Sequence, residues 1–215
     1  TGLALVMAWH LIWAAVSGME TAIFAMFTLA LITLAWRELD ARSQHLTAII
    51  LRGMLFGLVA ALTTLTRAEG VLLCALLGGL LIFVRPGGRY VGWIAYGVAA
   101  LFVFMIVLAP YLNFNLQQTG GLLPDTAAAK QMYATPNFYQ SYFWRVGYLL
   151  EPLAAGGQML LLPGIVVFAV MLVRQRRSLL LSAPLLWSVL LILLYAGYLP
   201  LNFQHGRYVI PSLPS

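Results

Sequence analysis

Four short polar clusters interrupt an otherwise apolar chain, and each carries residues that could take part in chemistry. Three of the clusters contain an acid, and three contain a cation close to turn-forming residues. Lysine and arginine without metal-ligand spacing are typical of anion sites, because ammonium and guanidinium groups donate charge-assisted hydrogen bonds to phosphate oxygens. The clusters therefore predict a site for an anionic substrate. They are Ser17–Thr21, Thr66–Gly70, Gly120–Lys130 and His205–Tyr208.

Lys130 ends a segment whose residue types favour a turn followed by a short helix. Gly120 and Gly121 allow the turn, and Asp125 can cap a helix that starts at Thr126. A lysine on that helix presents a compact cation to which phosphate can bind. The alternative is an ordinary loop lysine that water solvates, so Asp125 and Lys130 are candidates for substrate binding.

Arg207 lies between Gly206 and Tyr208, directly after the last apolar run, and His205 is close by. Its guanidinium group could bind phosphate through two parallel hydrogen bonds. It could equally extend to lipid headgroups, as arginines at membrane interfaces often do. A lone histidine is more often a hydrogen-bonded neighbour than a base. His205, Arg207 and Tyr208 are therefore candidates for substrate binding.

Glu20, Arg67 and Glu69 lie at the ends of apolar runs, where an unpaired charge is unfavourable. They are candidate substrate-binding residues, and Glu20 is also a weak candidate for the catalytic base. The alternative is structural, with Arg67 forming an ion pair with Glu20 or Glu69 that holds helix ends together. No metal-ligand pattern is found, no cofactor is assigned, and the need for a divalent metal is left open.

The composition places the chain among integral membrane proteins. Of its 215 residues, 62% are hydrophobic and only 8% are charged, and the mean hydropathy is +0.93. Soluble domains have about a quarter charged residues. The net charge of +6 forms no basic stripe, so nucleic acid is not an expected partner. Because the chain begins inside an apolar run, we expect it to be an internal piece of a longer membrane protein.

Seven apolar runs predict an all-α fold, a polytopic bundle of about seven transmembrane helices that forms one domain over residues 1–215. A helix needs about 20 apolar residues to cross the hydrocarbon core. Several runs are shorter than this and would need a turn from their flanks. The runs are 1–17, 21–36, 48–66, 70–84, 90–114, 156–173 and 179–199.

The orientation is predicted from lysine and arginine, which are concentrated in cytoplasmic loops. Most of the 12 basic residues fall on the side that holds loops 37–47, 85–89 and 174–178. That side is predicted to be cytoplasmic, so the protein is expected in the cell membrane with all four polar clusters outside. The basic residues of the cytoplasmic side are Arg37, Arg42, Arg52, Arg85, Arg89, Arg174, Arg176 and Arg177.

The longest segment between apolar runs covers residues 115–155 and is predicted to be an extracytoplasmic loop with short helices. Loops longer than about 15 residues are usually functional or disordered. This segment is rich in aromatic residues such as Tyr142 and Trp144, which argues against disorder. Residues 139–150 are predicted to form a helix at the membrane interface, with their rings at headgroup depth.

The first two polar clusters resemble motifs of the GT-C superfamily of membrane glycosyltransferases, in particular protein mannosyltransferases and arabinofuranosyltransferases. In those enzymes a Ser-Gly-Leu-Glu-Thr element opens a helix, and Ser17–Thr21 is similar to it, with Met19 in place of leucine. A later Arg-Pro-Glu-Gly element is similar to Arg67–Gly70, in which Ala68 replaces the proline.

The other two clusters resemble later motifs of the same superfamily. A Gly-x-x-x-Pro-Asn-Thr-x-x-x-Lys loop is similar to Gly120–Lys130, with Asp125 in the position of asparagine. An Arg-Tyr pair after the final outward span, followed by prolines, is similar to Arg207 and Tyr208 with Pro211 after them. The four motifs occur in the same order as in those enzymes. From the first motif to the last, the resemblance covers nearly the whole chain.

The resemblance implies a cell-envelope enzyme that transfers a hexose or pentose from a polyprenyl-phosphate donor, with inversion, on the extracytoplasmic face. The acceptor would be a glycan, a lipid or a protein. In such enzymes an acid in the first outer loop is the general base. That loop would lie upstream of Ser17, so the piece alone is expected to be inactive. Lys130 and Arg207 would stabilise the phosphate as negative charge develops on it.

Two other classes of protein remain alternatives. A transporter would place ionisable residues near the midplane of the membrane, often with broken helices and internal repeats. In this chain the charges lie near the ends of the apolar runs, and no repeat is evident. A non-catalytic membrane subunit would have no need for the long polar and aromatic segment at 115–155.

Overall fold

A computed structural model of the chain describes residues 20–41, 45–84, 90–121, 134–154, 162–174 and 179–200, and the structural statements below concern these residues. Within them the backbone is helical apart from short turns and ends, and no β-strand is present. The predicted all-α class is therefore confirmed. The helices are α1 Glu20–Arg37, α2 Leu46–Thr66, α3 Gly70–Val84, α4 Tyr90–Thr119, α5 Tyr142–Ala154, α6 Leu162–Arg174 and α7 Ala183–Tyr198, with a 3-10 turn at Leu179–Ser182 and a short helix at 134–138.

Four helical segments in the described ranges are long and apolar enough to cross a membrane. They correspond to the predicted runs 21–36, 48–66, 90–114 and 179–199. The runs 70–84 and 156–173 contain shorter apolar helices, so the prediction of seven spans is not confirmed, and the run 1–17 lies outside the described residues. The four segments are Glu20–Arg37, Leu46–Thr66, Tyr90–Gln118 and Leu179–Tyr198.

The chain divides into two compact units, each of which has its own internal packing. The first unit draws on Met26–Pro124 and Ser178–Ala183. The second draws on Thr1–Ala25, Asp125–Arg177 and Pro184–Ser215. All the described residues of α2, α3 and α4 therefore belong to the first unit, and those of α5 and α6 belong to the second.

The first unit is held together by close packing of α2 against α4. Gly53 and Gly57 lie one turn apart on α2, and a Cβ atom at either position would collide with the backbone of α4. At Gly57 the obstacle is the backbone of Ala100. Small residues four positions apart are a common way for membrane helices to approach closely. The ring of Phe56 also packs on that of Tyr96, with 6.0 Å between centroids.

The aromatic segment of the second unit forms the predicted helix, although its limits differ from 139–150. Helix α5 begins at Tyr142 because the Ser141 hydroxyl accepts a hydrogen bond from the Trp144 backbone N–H at 3.3 Å and so caps the helix. The Tyr142 hydroxyl donates to the Leu193 carbonyl of α7 at 3.0 Å. A second link joins the Asn137 side-chain amide to the Pro200 carbonyl at 2.7 Å. The location of α5 at a membrane interface stays a prediction.

Candidate functional site

The structure describes three of the eight candidate substrate-binding residues. Glu20 begins α1, and Arg67 and Glu69 lie in the turn between α2 and α3. The other five lie outside the described residues, so their proposed roles stay predictions from the sequence. They are Asp125, Lys130, His205, Arg207 and Tyr208.

Arg67 and Glu69 form an ion pair with two contacts. The Arg67 Nη2 atom lies 3.2 Å from Glu69 Oε1, and Arg67 Nε lies 3.5 Å from Glu69 Oε2. Arg67 is only 9% exposed, so its charge would be costly without this partner. Of the two partners that the sequence allowed, the structure shows Glu69, so Arg67 has a structural role, and its role in substrate binding stays a prediction.

The glycine that ends this cluster has a packing role. The Gly70 N–H donates to the Arg67 carbonyl at 2.9 Å, and the Arg67 N–H donates to the Thr63 carbonyl at 3.2 Å. A Cβ atom at Gly70 would lie 2.8 Å from the Thr63 carbonyl oxygen, closer than side chains tolerate. The sequence Arg67–Gly70 therefore builds a tight turn that brings α3 back against the end of α2.

Glu20 is the first residue of α1, and its side chain is exposed. A carboxylate in the first turn of a helix is stabilised by the positive end of the helix dipole. Within the described ranges Glu20 forms no ion pair. Its role as a substrate contact or as a base therefore stays a prediction from the sequence.

The third cluster is described only at its first two residues, and there the predicted turn is confirmed. Gly120 follows α4 with a φ of 69°, in the left-handed region that glycine adopts without strain. Its N–H donates to the Leu116 carbonyl at 3.1 Å, which satisfies one of the last carbonyls of the helix. The chain thus leaves α4 sharply at the start of the segment that leads to Lys130.

The first unit contains an apolar cavity of about 600 Å³ between α2, α3 and α4. The cavity exists because small residues replace bulky ones on all three helices. Its walls are almost entirely hydrocarbon and aromatic, and lining residues such as Tyr90 and Ile94 are exposed, so the cavity is open on one side and can accept an apolar chain. The small residues that line it are Gly57, Ala60, Ala75, Gly78, Gly97 and Ala100.

One end of this cavity lies beside the Arg67–Glu69 turn. Along α3 the lining runs from Val71 to Ile82, which corresponds to about 16 Å of helix. Val71 follows Glu69 by two residues, so an apolar chain in the cavity would end near the turn. The small residues that line the cavity are visible in the sequence. The sequence does not show which helices pack against each other, so the cavity could not be predicted from it.

A second cavity, of about 440 Å³, lies in the same unit and has charged walls. Glu38 is only 7% exposed, and its Oε1 atom lies 3.5 Å from Arg52 Nε. Burial raises the pKa of Glu38, while the charges of Arg52 and Arg37 oppose this rise. In the sequence, Arg37 and Arg52 indicate only the orientation of the loops, and the cavity could not be predicted from them. Its lining residues are Leu34, Arg37, Glu38, Asp40, Ala41, Arg52, Leu55 and Tyr96.

Metal binding has no support in the described part of the chain, since no three His, Cys, Asp or Glu residues there are grouped as ligands. The need for a divalent metal therefore stays open. A scan against protein-family models, a search of curated proteins and a search of solved structures found no match to this chain. The likeness of the four clusters to glycosyltransferase motifs is thus a hypothesis that rests on their residues and order.

Proposed function

We propose that this chain is part of a membrane glycosyltransferase similar to the GT-C superfamily. The enzyme transfers a sugar from a polyprenyl-phosphate donor to a glycan, lipid or protein acceptor on the extracytoplasmic face. The observation that carries the proposal is the apolar cavity between α2, α3 and α4, which ends beside the Arg67–Glu69 turn. An isoprenoid chain is the part of such a donor that needs a long hydrocarbon-lined space.

In this proposal the polar clusters bind the head of the donor. Lys130 and Arg207 would donate charge-assisted hydrogen bonds to the phosphate, and Asp125, His205 and Tyr208 are proposed as further contacts to the donor. The acceptor hydroxyl attacks the anomeric carbon, the bond from that carbon to the phosphate oxygen breaks, and a base takes the hydroxyl proton. Negative charge then stays on the lipid phosphate, where preorganised cations stabilise it. The base is unassigned, and Glu20 is a weak candidate.

The proposed topology has seven crossings, with the loops 37–47, 85–89 and 174–178 in the cytoplasm. The segments 1–17, 70–84 and 156–173 then cross together with the four long spans. In this topology Arg67 and Glu69 would lie on the outer side, where their ion pair stabilises the α2–α3 turn.

The positions of charged residues favour an enzyme over a transporter. In the described spans, Glu20 and Arg37 lie at the ends of α1, and Arg52 lies within two turns of the start of α2. The described helices α3, α4 and α7 carry no Asp, Glu, Lys or Arg. A transporter that moves a charged substrate would need ionisable groups nearer the midplane.

The test is transfer from a prenyl-phosphate sugar by the full-length protein in membrane vesicles, with two matched variants. Gly78 lines the cavity, whereas Gly79 does not, and a Cβ atom at either position meets nothing within 4 Å. We expect Gly78→Leu to fill the cavity and raise KM for the donor by about tenfold, a loss of roughly 1.4 kcal/mol of binding. Gly79→Leu should leave KM unchanged. Absence of transfer from any prenyl-phosphate sugar would contradict the proposal.

A further inference from the structure

The second cavity, which is lined by Arg37, Glu38, Asp40 and Arg52, has a buried part and an exposed part. Glu38 and the ring of Tyr96 form its buried part, and Arg52, which pairs with Glu38, is partly exposed. Arg37 and Asp40 line it as well, but their side chains are exposed. In the ranges that the structure describes, the side chains of Arg37 and Asp40 form no ion pair within 4 Å, and Arg37 acts on nearby Glu38 through its charge. The exposed part of the cavity therefore carries one cation, Arg37, and one anion, Asp40.

The position of this cavity is at the boundary between membrane and water. It lies where α1 ends at Arg37 and the chain leads on to α2, and both helices are long and apolar enough to cross a membrane. Leu55 lines the cavity and is itself 46% exposed. Leu51 and Leu58 are exposed on the same helix. The charged cavity is therefore continuous with an apolar helix surface.

We propose that this cavity binds the headgroup of a zwitterionic phospholipid with a primary amine, such as phosphatidylethanolamine. The phosphate of the headgroup accepts hydrogen bonds from the Arg37 guanidinium group, and the ammonium group donates to the Asp40 carboxylate. The acyl chains lie along the exposed leucines of α2. This proposal is independent of the glycosyltransferase proposal, since it requires only that α1 and α2 cross a membrane.

The balance of charge selects this class of lipid over others. Among the described residues of the lining, the charged ones are two arginines and two acids, so an anionic headgroup without an amine would bring a phosphate close to Asp40. A choline headgroup has a quaternary nitrogen that cannot donate a hydrogen bond to a carboxylate. A soluble zwitterion would match the charges but would leave the apolar surface at Leu55 uncovered.

The experiment measures lipid retention by the full-length protein in detergent, using native mass spectrometry. Phosphatidylethanolamine, phosphatidylcholine and phosphatidylglycerol of identical acyl chains are offered together, and soluble phosphoethanolamine is added in a separate arm. We expect preferential retention of phosphatidylethanolamine. Arg37→Gln and Asp40→Asn should each lower it by about tenfold, the effect of one charge-assisted hydrogen bond. Because both residues are exposed, these variants should fold.

Glu151→Gln is the control variant, since Glu151 is an exposed acid in α5 that does not line the cavity. It should retain the lipid as the unchanged protein does. Equal retention of phosphatidylethanolamine and phosphatidylglycerol by the unchanged protein would overturn the proposal without reference to any variant. Displacement of the lipid by an equal concentration of soluble phosphoethanolamine would also overturn it, because the apolar contacts would then contribute nothing.

Discussion

At the scale of single residues, the pairing of Arg67 with Glu69 shows where the sequence was ambiguous. The sequence indicated that Arg67 would pair with Glu20 or Glu69, because all three lie at ends of apolar runs. Which acid pairs with Arg67 depends on the backbone of the α2–α3 turn. Gly70 makes this turn tight because it packs against Thr63. The turn therefore gives Arg67 a structural role that its resemblance to a motif did not predict.

The Arg67–Glu69 pair should contribute to stability as a unit. We expect Arg67→Ala and Glu69→Ala each to lower the free energy of unfolding by roughly 1–3 kcal/mol, because each leaves a partner without its ion pair. The double variant should lose little more than the worse single variant. Unfolding of the purified protein in detergent measures this, with Glu151→Ala as a control at an exposed acid. Strictly additive losses would show that the two side chains are not coupled.

Lys130 and Arg207 are predicted to bind the phosphate of the donor. Removing one charge-assisted hydrogen bond that strengthens as the phosphate leaves costs roughly 1.5–3 kcal/mol, so Lys130→Ala or Arg207→Ala should lower kcat/KM by about tenfold to a hundredfold. Arg207→Lys should restore activity only in part, because a single ammonium group does not replace two parallel hydrogen bonds. Donor turnover by the full-length enzyme measures the effect. Unchanged turnover in both alanine variants would contradict phosphate binding and would indicate that the two residues contact lipid headgroups instead.

At the scale of helices, the apolar runs predicted the long elements closely and the contacts between them poorly. The run 48–66 corresponds to Leu46–Thr66, because a continuous apolar stretch can satisfy its backbone in a membrane only as a helix. Helix α5 begins at Tyr142 rather than at 139, because a side-chain cap at Ser141 sets its start. The apolar cavity was not predicted, since it depends on small residues of three helices facing one another.

The contact of α2 with α4 should be sensitive to single methyl groups. We expect Gly57→Ala to destabilise the protein by roughly 1–3 kcal/mol, because the added carbon meets backbone atoms of Ala100 that cannot move aside. Gly97→Ala is the matched control, since Gly97 lies on α4 and its added carbon meets nothing within 4 Å. That control should be neutral or stabilising, because alanine favours a helix over glycine by about 1 kcal/mol. Equal effects of the two changes on detergent unfolding would contradict this packing.

At the scale of the whole molecule, hydropathy identified a membrane protein but could not establish the number of crossings. Helix α3 has 15 residues and α6 has 13, and helices of that length cross only when neighbours or flanking residues complete the span. The assignment of loops to the cytoplasm or the outside rests on the uneven distribution of lysine and arginine, and the helix packing does not test it. Both points therefore need a measurement on cells.

The predicted orientation can be tested with single cysteines in a Cys74→Ala background. We expect Thr135→Cys to react with an impermeant thiol reagent in intact cells, since residues 115–155 are predicted to lie outside. Ser43→Cys and Ser178→Cys should react only after permeabilisation, because most basic residues lie on their side. Labelling of Ser178→Cys in intact cells would contradict the predicted orientation, and the polar clusters could then not form an extracytoplasmic site.

The most direct test of the central claim is photocrosslinking with a prenyl-phosphate sugar that carries a diazirine on its prenyl chain. If the cavity holds that chain, the label should appear on α3 and α4 at lining residues with little exposure, such as Cys74 and Tyr96. Excess unlabelled donor should abolish it, and Gly78→Leu should reduce it strongly while Gly79→Leu should not. Labelling confined to the outer surface of the helices and unaffected by excess donor would contradict the claim.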